Sequence, residues 1–356
     1  MTLVLISLAL LLALPARASD VTNEVGVNTT QATESNPRAG NVSDSLQATF
    51  DLGDQWSIEG GAVLTREGQT GASEAGGFGT SGNLVTMFSL GTEFEPSDRW
   101  TLALHGDFSP QSTQQVGTSL TLATGPAFLL LRAQSAQVEG GFDVSFDTSG
   151  DSDLEWSLSA GLTGSHLSMD QAIDSVRFHR TLSGPLVGGT ADDIRASCAT
   201  KRCPPRLVQA LQPAGQNGST LDWEKFTFSA TATVVRDTDL GLTADAYHYE
   251  DDPSKVGYLS VALAHLGTGI PIAPVQYLIR PEVVQRIGGF SARLWVQTGR
   301  YVSGLGDSTA ALGIKLQYKF SKAYRMWVTA SGQRDTDEFG GATKSGSLAL
   351  GAGYRF

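Results

Sequence analysis

The chain has 356 residues and carries 25 Lys and Arg against 36 Asp and Glu, a formal net charge of -11. An acidic chain lacks the basic patch that a nucleic-acid partner needs. With 17% charged residues, 41 glycines and abundant Ser and Thr it favours sheet over helix. Its length allows two soluble domains, but no linker divides regions of different composition, so one domain is expected.

The first element is an apolar run from Leu3 to Leu14, followed by Pro15 and the small-residue pattern Ala16-Arg17-Ala18. This predicts a secretory signal peptide over 1–18, too short to cross a membrane as a helix. No later stretch reaches the roughly 18 uninterrupted apolar residues of a transmembrane helix. Residues 19–356 are therefore expected to be exported and to enter any membrane as strands.

From there a period of two dominates. The alternation predicts fourteen strands, near 21–32, 42–52, 55–66, 82–94, 99–110, 133–147, 153–168, 222–235, 239–250, 274–286, 289–302, 308–320, 322–334 and 343–356. Many come as hairpins with short turns. Leu46, Ala48, Phe50 and Leu52 share a face with Trp56, Ile58 and Leu64 across the Gly53-Asp54 turn. Phe94 before the next turn shares one with Trp100, Leu102, Leu104 and Phe108 after it, and Phe142, Val144 and Phe146 precede Trp156, Leu158 and Leu162. Leu312 to Phe320 pairs likewise with Tyr324, Met326 and Val328, and the chain closes on "LALGAGYRF", with Leu348, Leu350, Ala352, Tyr354 and Phe356 on one side.

Short turns alternate with longer polar loops at 67–81, 111–132, 169–221, 251–273 and 335–342. The stretches 116–125 and 257–266 also alternate, so sixteen to eighteen strands are an alternative count. Pro281 falls inside the tenth strand, where it has no N–H for the ladder, and predicts a bulge or a misplaced strand boundary there.

Aromatic residues flank the short turns on the apolar face: Phe50 and Trp56, Phe94 and Trp100, Phe146 and Trp156, Phe320 and Tyr324, then Tyr354 and Phe356. That is the layout of an aromatic girdle at one membrane interface. A secreted β-sandwich would alternate too, but has no reason to place Trp and Phe beside one set of turns only. The chain resembles the Gram-negative outer-membrane β-barrel proteins over essentially all of its mature length. The resemblance implies an all-β, transmembrane, antiparallel up-and-down barrel in the outer membrane, with short periplasmic turns and long outer loops. It implies membrane lipid and lipopolysaccharide as surroundings. The last strand, with Tyr354 and Phe356, resembles the signal read by the barrel assembly machinery. Closure also removes the edge that an apolar terminal strand would otherwise expose.

On the opposite face of the first nine strands lie Glu24, Asp51, Glu59, Glu93, Asp107, Glu139, Asp143, Glu155 and Asp245, with Lys225 the exception. The last five carry Arg280, Arg286, Arg293, Lys315, Lys319, Arg325 and Arg355, with Glu282 the exception. Facing walls of opposite charge orient polar solutes and select ions; solvated charges without such a role are the alternative. The leading expectation is a porin-like channel for small polar solutes, and Arg280 and Lys315, with Asp107, Asp143 and Asp245 opposing them, are its candidate selectivity residues. Export of a surface polysaccharide, or a structural or adhesive barrel working through the 169–221 loop, are the alternatives.

That loop holds both cysteines, and in an exported protein Cys198 and Cys203 are expected to pair. They are too few for zinc, with only His179 in the same loop, and no cofactor or metal is expected. Its Arg177, Arg180, Arg195, Lys201, Arg202 and Arg206 give it chemistry for acidic lipopolysaccharide, a solvated loop being the plainer reading. No enzymatic activity is expected: the five histidines are scattered, and the nearest approach to an acid-base pair is His105 with Asp107.

Overall fold

The computed structural model describes residues 20–32, 38–70, 83–122, 125–148, 155–179, 186–200, 219–235, 237–253, 275–302, 307–336 and 341–355. The signal-peptide segment, the 257–266 stretch, Cys203 and Phe356 lie outside them. The strands in chain order are β1 (Asp20–Ala32), β2 (Arg38–Asp51), β3 (Trp56–Thr70), β4 (Asn83–Ser97), β5 (Trp100–Leu122), β6 (Gly125–Asp147) and β7 (Glu155–His179). After a short β8 (Leu186–Thr190) and helix α1 (Ala191–Thr200) come β9 (Ser219–Val235), β10 (Thr238–Tyr249), β11 (Val275–Ile287) and β12 (Phe290–Tyr301). The series ends with β13 (Ser308–Lys319), β14 (Tyr324–Thr336) and β15 (Ala342–Arg355).

Apart from the short β8, successive strands pair antiparallel along the chain, and β1 pairs with β15 from Thr22↔Arg355 to Ala32↔Ser345. β7 pairs with both β6 and β9, so β8, which joins only the far end of β7, stands outside the ring. The result is a closed barrel of fourteen strands. At a spacing of ~4.8 Å and a tilt of ~40° such a ring is roughly 28 Å across between backbones.

The outer wall is apolar because alternation leaves it so. Along β7, Trp156, Leu158, Ala160 and Leu162 face outward before His166 breaks the run, and on β9 the same face passes from Phe228 and Phe226 to Glu224 and Asp222. His166 Nδ1 sits 2.5 Å from Asp222 Oδ1, marking where the wall turns polar. The apolar stretch is therefore about nine residues, which at ~3.3 Å per residue and ~40° tilt gives roughly 23 Å, the height of a membrane-barrel band. Large apolar side chains such as Leu90, Leu104 and Ile287 are exposed on this wall, as a lipid-facing surface requires.

The girdle forms both between neighbouring hairpins and within them. Register sets Trp56 opposite Phe94 and Trp100 opposite Phe146. The rings meet at 4.5 Å and 4.8 Å between centroids, and Phe146 continues to Trp156 at 5.5 Å. Tyr318 with Phe320, and Tyr324 with Tyr354, extend it around the closing strands.

Three expectations need correction. The 116–125 stretch is no additional strand: β5 and β6 run on as one long hairpin, paired from Ser112↔Ser135 to Leu122↔Gly125. Much of the loops expected at 111–132 and 169–221 is thereby strand, since β7 follows β6 out to Phe178 and β8 adds to its edge. Alternation without membrane-height aromatics marks strand, not membrane, and β5, β6 and β7 exceed by about a dozen residues the ~10 needed to span. The bulge expected at Pro281 is absent. Its β10 ladder runs through Leu242↔Pro281 unshifted, and the β12 ladder skips Arg280 and Pro281 before resuming in the same register at Glu282↔Trp295. The missing N–H costs pairing but no extra residue, and the register shift in β11 lies instead at Val275/Tyr277.

Candidate functional site

The inward face carries the polar chemistry. In the fourteen-strand ring β5 and β13 are seven strands apart whichever way one counts, as are β4 and β12, and β6 and β14. Asp107 on β5 thus lies on the strand opposite that of Lys315 on β13, Glu93 on the strand opposite that of Arg293, and Glu139 and Asp143 on the strand opposite that of Arg325. Glu59 on β3 faces the β11 residues Arg280, Glu282 and Arg286. Asp245 does not oppose Arg280: β10 and β11 are neighbours, with Asp245↔Leu278 and Thr243↔Arg280 in register.

Where the acidic and basic arcs meet, ion pairs neutralise them. At the β10–β11 seam Arg286 Nη2 lies 2.5 Å from Asp239 Oδ2. At the closing seam Arg325 Nη2 donates to Glu24 Oε2 at 2.7 Å and Arg355 Nε to Asp20 Oδ1 at 2.8 Å. Trp327 Nε1 donates to the second oxygen of Glu24 at 2.6 Å, so β14 reaches over β15 to β1. Gly351 and Gly353 of β15 make that reach possible, because a Cβ on Gly351 would overlap the Trp327 ring and one on Gly353 would crowd the Arg325 side chain.

Between the seams the acidic arc is hydrogen-bonded internally. Glu59 accepts from Gln47 Nε2, Asp245 from Thr227 Oγ1 at 2.8 Å, and Glu139 from Ser165 Oγ at 2.9 Å, with Lys225 Nζ 3.9 Å away. Asp107 and Glu139 are directly opposite in register. His105 turns from Asp107 to Asp143, with Nδ1 3.1 Å from Oδ2, and its Nε2 is 3.4 Å from Thr163 Oγ1. This Asp-His-Thr string resembles a catalytic triad in order, but Thr163 is only 4% exposed and presents no hydroxyl to a substrate. In the basic arc Glu282 lies 3.7 Å from Arg280 Nε and 3.8 Å from Arg293 Nε. Lys315 Nζ sits 5.0 Å over the Trp327 ring, a cation–π contact.

One sector of the outer half of this face, from β7 to β12, carries apolar clusters, whereas other strands keep polar residues there such as Asn28, Gln137 and Gln333. Leu167 and Leu221 are opposite in register and almost fully buried, with Trp223 beside them. Val275, Leu278 and Tyr301 form a second buried cluster against Tyr247. Tyr301 Oη bonds Asp335 Oδ1 at 2.5 Å, and Tyr249 Oη donates to the Val275 carbonyl at 3.0 Å. Attention to charge passed over these residues, although alternation places Leu167, Leu221, Trp223 and Leu278 between outward-facing positions.

In the β7–β9 excursion, Thr190 caps α1 with reciprocal bonds to Asp193. No cysteine is free among the described residues, and Cys198 near the end of α1 is disulfide-bonded. With Cys203 outside the described residues, its pairing with Cys198 stays an expectation.

A closed fourteen-strand antiparallel ring with a lipid-facing aromatic girdle is the fold of the outer-membrane β-barrels. Among solved structures, the toluene transporter TbuX of Ralstonia pickettii superposes with a TM-score of 0.52 at 9% identity, covering 96% of this chain and 90% of that one. A deltaS2S3 mutant of the monoaromatic hydrocarbon channel TodX gives 0.51 at 10% identity, with 98% and 94% covered. A Pseudomonas aeruginosa FadL homologue gives 0.44 at 9%, with 94% and 89% covered. No protein-family model matches the chain, nor does any curated protein. At these identities the likeness is one of fold.

Proposed function

We propose that this barrel is an outer-membrane channel for the passage of small polar solutes. One observation carries the reading. Strands carrying charges of opposite sign stand opposite one another in the ring, while the charges at the seams are already paired. An enzyme reading finds no accessible nucleophile at His105, and a purely structural barrel has no use for opposed charges across a wet lumen. The test is insertion of folded, detergent-purified protein into planar bilayers. Stepwise conductance supports a channel, whereas folded insertion without conductance refutes it and leaves the structural or adhesive alternative.

The apolar clusters around Leu167 and Leu278 favour a second reading, passage of small apolar solutes. It accords with what TbuX and TodX are named for. Proteoliposome swelling with sugars and amino acids, set against uptake of toluene, separates the two. Permeation by toluene alone overturns the polar-solute reading. Export of a polysaccharide is less favoured, because it needs a bore free of such clusters.

The same proposal has the chain exported with residues 1–18 removed and inserted by the barrel assembly machinery among outer-membrane lipid and lipopolysaccharide. Deleting Phe356 should then abolish most of the heat-modifiable protein in the outer-membrane fraction without blocking export across the inner membrane. Undiminished assembly would show that the terminal aromatic is no insertion signal.

A further inference from the structure

At the turn between β11 and β12 the inner wall borders an open cavity of about 220 Å³ lined by Arg286, Ser291, Arg293, Lys315, Gln317 and Lys319 among others. It is lined by four cations and no carboxylate. One water needs only about 10–15 Å³ of such space, so the cavity admits a solute of several heavy atoms. A larger groove of about 770 Å³ adjoins it at Lys319 and adds Lys322, Arg325 and Arg355, with Asp20 already bonded to Arg355.

Register makes this concentration of charge costly. Arg293 stands directly opposite Lys315, and Lys319 directly opposite Arg325. Like charges opposite one another destabilise a sheet. Arg325 is compensated by Glu24 and Arg286 by Asp239, neither of which lines the smaller cavity. Among the described residues Arg293 has Glu282 at 3.8 Å as its one carboxylate, and Lys315 and Lys319 have none. A chain with more acidic than basic residues has nonetheless set the like-charge pair Arg293–Lys315, with Lys319 beside it, around a cavity that also offers a hydroxyl and a carboxamide.

We infer that this cavity is a binding site for a small soluble oxyanion carrying two negative charges, such as a phosphate or a dicarboxylate. A guanidinium fork and two ammonium groups supply charge-assisted donors to its oxygens, and a bound dianion offsets the Arg293–Lys315 repulsion. The cations share the inward face, while Phe290 at the turn points outward, so the ligand arrives from the aqueous lumen or the turn side, not from lipid. The inference deepens the channel reading by giving the lumen a saturable station for anions, but its test does not depend on conduction.

Calorimetric titration of the folded protein in micelles, with inorganic phosphate and with succinate at constant ionic strength against chloride, reads the site directly. One saturable site is expected, together with a rise in unfolding midpoint when phosphate is present. The double variant Arg293→Gln, Lys315→Gln should weaken binding at least tenfold while unfolding no more easily than the parent, since it removes a repulsive pair. Arg334→Gln, on the outward face of β14, should bind like the parent. Absence of saturable binding beyond chloride, or equal binding by the double variant, overturns the site. Binding without bilayer conductance keeps the site and removes the channel; conductance without binding does the reverse.

Discussion

Changing Gly351 to valine should destabilise the folded barrel by about 2–3 kcal/mol, the sum of overpacking against a ring and the loss of a hydrogen bond to a charged group, discounted for a wet lumen. Trp327 lies across this glycine to reach Glu24, and Gly26 on β1 leaves room for the far edge of the same ring. A branched side chain at 351 forces the indole off the β15 backbone, and the indole cannot retreat without breaking its 2.6 Å bond to Glu24. The damage falls on the one place where the ring is closed by residues distant in sequence. Urea unfolding in phospholipid vesicles, with the heat-modifiable band as a second readout, measures it. Gly346→Ala on the same strand is the control, since its Cβ would meet nothing closer than the Ser331 carbonyl at 3.7 Å. Equal unfolding midpoints for the two variants would show that the tie across β15 contributes nothing.

Those glycines explain the closing sequence "LALGAGYRF" more fully than alternation does. Parity alone gives its lipid face, Leu348, Leu350, Ala352 and Tyr354. That the other face carries Gly351 and Gly353 so that β14 can grasp β1 needs the register of three strands at once. The same limit applies elsewhere. Facing direction, strand number and the girdle follow from a period of two and from turn positions, which are local. Partnership is not local. His105 reads in sequence as the neighbour of Asp107, but residues two apart on a strand lie ~6.6 Å apart, whereas Asp143 on the adjoining β6 is within hydrogen-bond reach. Asp245 and Arg280 look like opposing walls because a loop separates them in sequence, yet their strands adjoin. The extensions of β5 to β7 were hidden because runs such as Phe128 to Leu131 do not alternate, so a paired strand and a loop look alike.

The charged walls should act on ions to an extent that salt sets. Side chains reaching ~6 Å inward from each side of a ring roughly 28 Å across leave opposing heads about 15 Å apart. At 0.15 M salt that is about two Debye lengths of ~8 Å, at 0.01 M it is half of one, and at 1 M it is five. A single charge 8 Å from a permeating ion is worth about 0.5 kcal/mol in water before screening, or roughly a twofold change in local ion concentration. Neutralising several on one wall should therefore change the permeability ratio several-fold in dilute salt. Arg293→Gln, Lys315→Gln and Lys319→Gln together should move the reversal potential in a salt gradient toward cation selectivity. Asp107→Asn, Glu139→Gln and Asp143→Asn should move it toward anions. Changing Asp245 should do less than changing Asp107, because Asp245 sits beside the basic arc with Thr227 bonded to it at 2.8 Å. Both large shifts should fade at 1 M salt. A channel that conducts, but whose reversal potential ignores both triple variants at low salt, would show that ions pass where neither wall reaches them. The constriction would then belong to the apolar clusters on the outer side of the lumen, around Leu167, Trp223, Leu278 and Tyr301.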